Sequence, residues 1–288
     1  MKYKTLVISG GGLKGISYLG CLHEINKIQN LNEFNDFYGT SVGALLCSLI
    51  VMGYTPLEIY NFSLELDFRK LVNKKSHSID SFLNDYGVDD CGKIIFIFKA
   101  FIKNKTNNED ITLKELSKLT KKRLFIATTC LSNRKLELIN SKNYPDLRLW
   151  EAIRMSISIP LIFKPYKYND KYYIDGAVTN NFLFDKVKCK KKCIGITSTA
   201  STFYQRPITN FTSYIYNILF TCTHNQNVNF PKYTKNIIIV DNKNQILEQP
   251  LVNNEIKFTL SNIDKTNMFN LGKTTFIKHN KKNNLFIP

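Results

Sequence analysis

Two glycine-framed turns lie close together near the start of this chain. They are Gly10-Gly11-Gly12-Leu13-Lys14-Gly15 and Gly39-Thr40-Ser41-Val42-Gly43. The first offers a run of backbone N–H donors. The second holds a serine in a tight turn. Donors for a developing oxyanion and an exposed nucleophile are two of the parts that acyl transfer needs. A third segment, Asp175-Gly176-Ala177, offers a carboxylate that can act as the base.

Each segment has a competing reading. Gly10-x-Gly12-x-x-Gly15 also fits a dinucleotide fingerprint, in which a helix N-terminus holds a pyrophosphate. That reading wants an acidic residue at the end of the next strand. Glu33 and Asp36 instead precede the second strand, which ends at Thr40-Ser41. The P-loop spacing G-x-x-x-x-G-K-[ST] is absent, which leaves an oxyanion hole or a purely structural turn. Gly39-x-Ser41-x-Gly43, set between a strand and an apolar helix, reads as a nucleophile elbow. Its bland counterpart is a serine N-cap. Asp175 ends a strand and is followed by two small residues, so its carboxylate can lie beside a neighbouring strand end. Asp170 and Asp185 compete with it but lack that combination.

The elements that position these residues alternate. Tyr3–Ser9 reads as a buried strand, Ile16–Ile28 as a helix, Phe34–Thr40 as a second strand and Val42–Met52 as a helix apolar all round and hence central. Gly53 stops that helix, and the capping box Thr55-Pro56-Leu57-Glu58 starts another. Lys93–Ile102 is a strongly apolar helix or strand, and Thr112–Glu115 is a second capping box. Leu124–Cys130, Lys135–Ile139, Lys171–Ile174, Cys193–Thr197 and Asn236–Val240 read as strands. Leu147–Met155, Tyr214–Thr221 and Ser261–Phe276 read as helices. The Asn-rich stretches 103–108 and 241–254 read as surface loops. The pattern predicts an α/β fold with helices on both faces of the sheet. No repeat or long linker divides it, so residues 1–288 are expected to form a single domain.

Composition narrows the class. The 288 residues are 43% hydrophobic, enough for a sizeable core. The four histidines, His23, His77, His224 and His279, show no metal-ligand spacing, and no metal site is expected. The seven cysteines are an odd number without a C-x-x-C pair, and read as reduced thiols of an intracellular protein. Leu6–Ser9 is too short for a signal-peptide core, and the longest apolar run, Val42–Gly53, falls short of the ~20 residues of a membrane span. The expected location is cytoplasmic or peripherally membrane-associated. The net charge is +17, with lysines dense at Arg69–Lys75, Lys186–Lys192 and Lys278–Lys282. Abundant Lys and Asn throughout make a compositional origin plausible. The functional reading is attraction to a polyanion. Aromatic residues are scattered rather than grouped with the lysines, which favours an anionic membrane surface over nucleic acid.

Taken in order, Ser9-Gly10-Gly11-Gly12-Leu13-Lys14-Gly15, Gly39-Thr40-Ser41-Val42-Gly43 and Asp175-Gly176-Ala177 resemble the motifs of the patatin-like phospholipases. Arg154-Met155-Ser156-Ile157-Ser158-Ile159-Pro160 is similar to that family's A-S-x-A-x-P stretch. Phe258–Gly272 is similar to its last helix. The resemblance implies a three-layer α/β/α sandwich with a mostly parallel sheet. It implies Ser41 as nucleophile and Asp175 as proton acceptor, a dyad without histidine, with Gly10–Gly15 as oxyanion hole. The implied activity is hydrolysis of acyl esters of phospholipids or other lipids, without metal or organic cofactor. Ser9, Lys14 and Leu183 stand where the family often has Asp, Arg and Pro. Ser158 replaces a usual alanine, and would either crowd the site or lend a hydrogen bond. Two alternatives remain at this stage: a Ser-His-Asp hydrolase with His224 or His279 as base, and a non-catalytic protein that binds lipid or another polyanion.

Overall fold

The computed structural model describes residues 2–71, 86–198, 231–242 and 260–286, with isolated positions between 208 and 221. The strands among them are β1 (Thr5–Ile8), β2 (Asp36–Thr40), β3 (Gly87–Asp89), β4 (Arg123–Cys130), β5 (Lys135–Ile139), β6 (Leu161–Phe163), β7 (Tyr166–Tyr168), β8 (Lys171–Asp175), β9 (Cys193–Ser198) and β10 (Ile237–Val240). The helices are α1 (Gly15–Ile28), α2 (Val42–Val51), α3 (Pro56–Glu65), α4 (Gly92–Thr106), α5 (Leu113–Thr120), α6 (Leu149–Ser156) and α7 (Asn262–Asn283).

The architecture is a three-layer α/β/α one. The main sheet has the order β10-β9-β1-β2-β4-β8-β7, with β5 also paired to β4. From β10 to β4 neighbouring strands are parallel; β8, β7 and β5 join antiparallel. β1, with the sequence TLVI, is buried along its whole length, as a central parallel strand must be. The larger core lies on the face covered by α1, α2, α6 and α7, around Leu22, Phe37, Ile50 and Ile153. The opposite face packs Val7, Tyr38 and Ala127 under Phe182, Leu183 and Phe184. Buried Leu183, where the family often has proline, is part of that cover.

Local sequence explains most element ends. The side chain of Thr55 accepts the Glu58 N–H while Glu58 accepts the Thr55 N–H, and Pro56 opens α3. Thr112 and Glu115 repeat the device at α5, and Ser261 and Asp264 at α7. The stretch 93–102 is helical, and α4 continues through Thr106, so residues 103–106 are not the expected loop. Asn104 is held there, donating to the Tyr54 hydroxyl at 2.9 Å, and Asn107 closes the helix in the left-handed region. The tail helix runs past Phe276 to Asn283. The helix expected over 214–221 and the loop expected over 241–254 fall mostly outside the described residues.

Candidate active site

Strand register alone brings the two motifs together. Thr40 is the partner of Ala127 on one side of β4, and Asp175 is the partner of Thr128 on the other. Ser41, the residue after Thr40, therefore stands level with Asp175 at the end where β1 and β2 stop. The Ser41 hydroxyl donates to Asp175 Oδ2 at 2.6 Å.

The turn around Ser41 is under backbone strain. Its φ of 54° and ψ of −126° lie outside the regions that side chains prefer. Close packing holds it there. A Cβ built on Gly43 would lie 2.3 Å from Ile8 O and 2.6 Å from Ser9 O, so α2 can start against the end of β1 only with glycine here. Gly39 packs equally tightly on the backbone of Ala44. The Ser41 N–H donates to Ser156 Oγ at 2.9 Å, and Ser156 Oγ donates to Ala127 O at 2.7 Å. Thr40 Oγ1 donates to Asn180 O at 3.1 Å. Val42 packs against Gly15, so the two glycine turns touch.

Asp175 is only 3% exposed. Its Oδ1 accepts the Ala177 N–H at 2.8 Å, its N–H donates to Ser158 O at 2.9 Å, and its carbonyl accepts from Thr129 Oγ1 at 2.9 Å. Thr129 in turn meets Thr179 Oγ1 at 2.8 Å. Gly176 fits against the backbone of Ala127. Burial raises the Asp175 carboxyl to about 6, against the lowering effect of the Ser41 and Ala177 hydrogen bonds. A base near neutrality suits general-base chemistry.

The glycine turn follows β1, the neighbour of β2 on the side away from β4 and Asp175. A Cβ built on Gly10 would approach Ser41 Cβ to 3.3 Å and Asn181 Oδ1 to 2.4 Å. Gly12 has φ 52°, a left-handed conformation that favours glycine, and is exposed with open space where a Cβ would go. Leu13 is half-buried and Lys14 is buried. Gly12–Lys14 forms a single 3-10 turn leading into α1 at Gly15. The leading N–H groups of such a turn have no acceptor within it. The Tyr18 hydroxyl supports the loop from below, 3.2 Å from Gly10 O and 3.0 Å from both Ser9 Oγ and Ser198 Oγ.

The competing groups are elsewhere. Asp170 is exposed and paired with Lys167; Asp185 is exposed and paired with Lys186. His279 Nε2 is 2.8 Å from Lys235 O, beside the start of β10, at the opposite end of the sheet from Ser41. The His23 ring rests near Phe269. His77 and His224 lie outside the described residues. Among the described residues, no three His, Cys, Asp or Glu side chains gather as metal ligands.

Sequence reasoning passed over Ser156, Thr129 and Tyr18, whose hydroxyls hold the candidate groups in place. Only Ser156 carried a signal, through its place in the segment 154–160. Ser158 does not crowd Asp175. Its hydroxyl donates to Arg154 O at 2.6 Å and meets the Arg154 guanidinium, while its carbonyl takes the Asp175 N–H.

The patatin-like phospholipase family model matches residues 6–187, which span both glycine turns and the Asp175 segment. The chain belongs to the patatin-like phospholipase family. A probable lipid hydrolase, 463L, of Invertebrate iridescent virus 6 is 35% identical over 213 residues, 70% of this chain and 72% of that protein. Lysophospholipase NTE1 of Meyerozyma guilliermondii is 25% identical over 190 residues, 64% of this chain and 12% of that protein. Among solved structures, VipD of Legionella pneumophila aligns with a TM-score of 0.63 at 15% identity, covering 98% of this chain and 67% of that one. The type III effector ExoU of Pseudomonas aeruginosa aligns at 0.56 and 13% identity, covering 98% and 53%. At these identities the two structures share the fold with this chain.

Proposed function

We propose that this chain is a lipid acyl hydrolase of the phospholipase A type, with Ser41 as nucleophile and Asp175 as its base. The observation that carries the reading is the 2.6 Å hydrogen bond from Ser41 Oγ to a buried carboxylate raised to about 6. Lipid as substrate is supported by family membership and by a relative named as a probable lipid hydrolase.

In this mechanism the ionised Asp175 takes the Ser41 proton as Oγ attacks the ester carbonyl carbon. The carbonyl electron pair moves onto oxygen, and the N–H groups of the Gly10–Gly15 turn stabilise the resulting oxyanion; one such donor is worth about 100- to 1000-fold in rate. The tetrahedral intermediate collapses, the C–O bond to the lysolipid breaks, and the proton on Asp175 passes to the leaving alkoxide. Water, deprotonated by Asp175, then attacks the acyl-Ser41 ester and frees the fatty acid. The fully buried Ser156 and Ser158 fix the two groups through the Ser41 and Asp175 N–H groups.

Ser41→Ala and Asp175→Asn test the assignment. Each variant is expected to lose turnover of a dispersed short-chain ester by about 1000-fold or more, with the double variant little worse than either single one. Retained activity in a folded single variant would overturn the dyad.

A further inference from the structure

Two of the three dense lysine runs, Lys186–Lys192 and Lys278–Lys282, are at the wrong end of the sheet to bring Ser41 to a lipid surface; most of the third, Arg69–Lys75, lies outside the described residues. The Lys4 N–H donates to Lys192 O at 2.8 Å, and Asn236 Nδ2 donates to Lys190 O at 3.1 Å. Lys235 O meets His279 at 2.8 Å, which places the Lys278–Lys282 turn of α7 there too. These residues precede β1, β9 and β10 or lie beside them, where the parallel strands begin. Ser41 and the glycine turn lie where those strands end.

The site end carries a different surface. The β4–β8 ladder runs two residues past the Thr128–Asp175 pair, to Cys130 opposite Tyr173, about 7 Å at the usual strand rise. Beyond it are two hairpin turns, Leu131–Arg134 between β4 and β5 and Asn169–Asp170 between β7 and β8. The turns are tied together: the Leu131 N–H donates to Tyr172 O at 2.8 Å and the Tyr172 N–H to Ser132 Oγ at 3.1 Å. Leu131 and Tyr172 are 46% and 40% exposed. Arg134, Lys135 and Lys171 surround them, none ion-paired among the described residues. Of the two acids near the tips, Asp170 is taken by Lys167, and half-buried Glu137 accepts from Asn133 Nδ2 at 2.8 Å and lies in the field of Lys171. An apolar residue beside a tyrosine, ringed by cations and free of unpaired acid, complements the boundary between anionic headgroups and acyl chains.

We propose that these joined tips, Leu131–Lys135 and Lys167–Tyr172, are the surface by which the chain seats on an anionic lipid bilayer, with the Ser41 end facing the lipid. The proposal rests on the lipid-hydrolase reading for its purpose, but vesicle binding tests it separately from turnover. Leu131 and Tyr172 enter the acyl boundary, and the tip cations meet the headgroups.

The experiment measures co-flotation with phosphatidylcholine vesicles containing phosphatidylserine, in 0.15 M salt, alongside turnover of a dispersed short-chain ester. Leu131→Ser with Tyr172→Ser is expected to lower partitioning about tenfold or more. Arg134→Glu with Lys171→Glu is expected to lower it comparably. Both should leave ester turnover within about twofold. Lys188→Glu with Lys191→Glu and Lys192→Glu, at the far end, should change partitioning by less than about threefold. Tyr172→Trp should show blue-shifted emission on vesicles. Unchanged partitioning of the folded tip variants overturns the proposal, as does no binding by the parent chain. Loss of binding in the far-end triple variant alone overturns it in favour of the lysine-rich face. Absence of ester turnover in a parent that binds vesicles through the tips would instead refute the hydrolase reading.

Discussion

Where β1 and β2 stop, Ser41, Asp175 and Ser156 are buried and joined by short hydrogen bonds; where these strands begin, Lys188, Lys191, Lys192 and Lys235 stand exposed in solvent. At the first end strand register sets Ser41 beside Asp175, and Ser156 reaches the Ser41 N–H from the end of α6. The second contains many cations that packing does not fix. The difference teaches that charge density along a chain and chemical specialisation in a fold are separate quantities. Removing water from a single carboxylate changes its acidity. A solvated run of lysines acts through its summed field.

The largest effect on this comparison is expected from Gly43→Ala. The added methyl group would meet Ile8 O and Ser9 O within 2.6 Å. Relief requires α2 to move off the end of β1, which separates Ser41 from the glycine turn. We expect a loss of turnover of about 100-fold or more, since a misplacement of about 1 Å at a reacting centre costs that much. Gly272→Ala is the matched substitution away from the site. Its methyl group would meet Ser17 O at 1.8 Å where α7 crosses α1. The expected result is a loss of stability of about 1–3 kcal/mol or more from overpacking, with ester turnover per folded molecule nearly unchanged. Denaturant unfolding together with active-site-normalised kinetics checks both. A Gly43→Ala protein with parental turnover would break the claim that this contact sets the site.

The next effect is in pH dependence. A rise of the Asp175 carboxyl from 3.8 to about 6 amounts to about 3 kcal/mol, at about 1.4 kcal/mol per pH unit. The folded chain binds this proton more tightly than the unfolded chain does. Stability from this group therefore falls as pH rises between about 4 and 6, and the cost is full above 6. Asp175→Asn should remove it, making the variant more stable than the parent at pH 7.5 by up to about 3 kcal/mol and nearly equal to it at pH 4. Parental turnover should rise with pH through about 6 and then level. Unfolding curves at the two pH values would refute this by showing no pH-dependent difference between the proteins.

The strand-to-turn signals in the sequence were local and therefore legible. Gly39-x-Ser41-x-Gly43, the capping boxes at Thr55 and Thr112, and the apolar runs of β1 and α2 each carry their own physical cause. Asp175 could be named from its strand end and small neighbours, but its distance from Ser41 depends on the pairing of β2 and β8 to opposite sides of β4, which no local signal encodes. Tyr18 and Thr129 use their hydroxyls to hold neighbouring loop and strand groups, and nothing in their sequence neighbourhoods marks them. Arg134 and Lys171 were hidden for the opposite reason. They are sparse in sequence, and only the two hairpins place them together, whereas the runs at 186–192 and 278–282 drew attention by density. The loop expected at 103–108 failed over 103–106 because Lys103, Asn104 and Lys105 continue the polar face of a helix whose buried face is set by Ile95, Phe98 and Ile102.

Ser156→Ala should fall between these large effects and none. The Ser156 hydroxyl links the Ser41 N–H to Ala127 O, so the alanine leaves two buried backbone groups short of a partner. The expected cost is about 1–3 kcal/mol in stability. A looser elbow should lower the turnover number about tenfold while leaving KM for the short-chain ester unchanged, because Ser156 is fully buried and its hydroxyl is engaged by two backbone groups. Ser156→Thr, which restores the hydroxyl, should recover most of the loss. A change confined to KM would sink the positioning role.

The smallest expected effect sharpens the comparison from its other side. His279 is the described histidine whose chain position allows the order Ser, Asp, His of a conventional triad. Its ring is bound to Lys235 O at 2.8 Å, where β10 begins, and burial lowers its pKa. Its job there is to join α7 to the strand that follows Lys235. His279→Ala should therefore cost about 1 kcal/mol of stability, the worth of one hydrogen bond, and leave turnover of a dispersed ester within about twofold at pH 7.5. Had the imidazole been the base, its removal would cost about 1000-fold or more. The two expectations differ by more than any folding defect could mimic once the folded fraction is measured by near-UV circular dichroism. A parental rate in this variant leaves the buried carboxylate at the other end of the sheet as the group that can take the Ser41 proton.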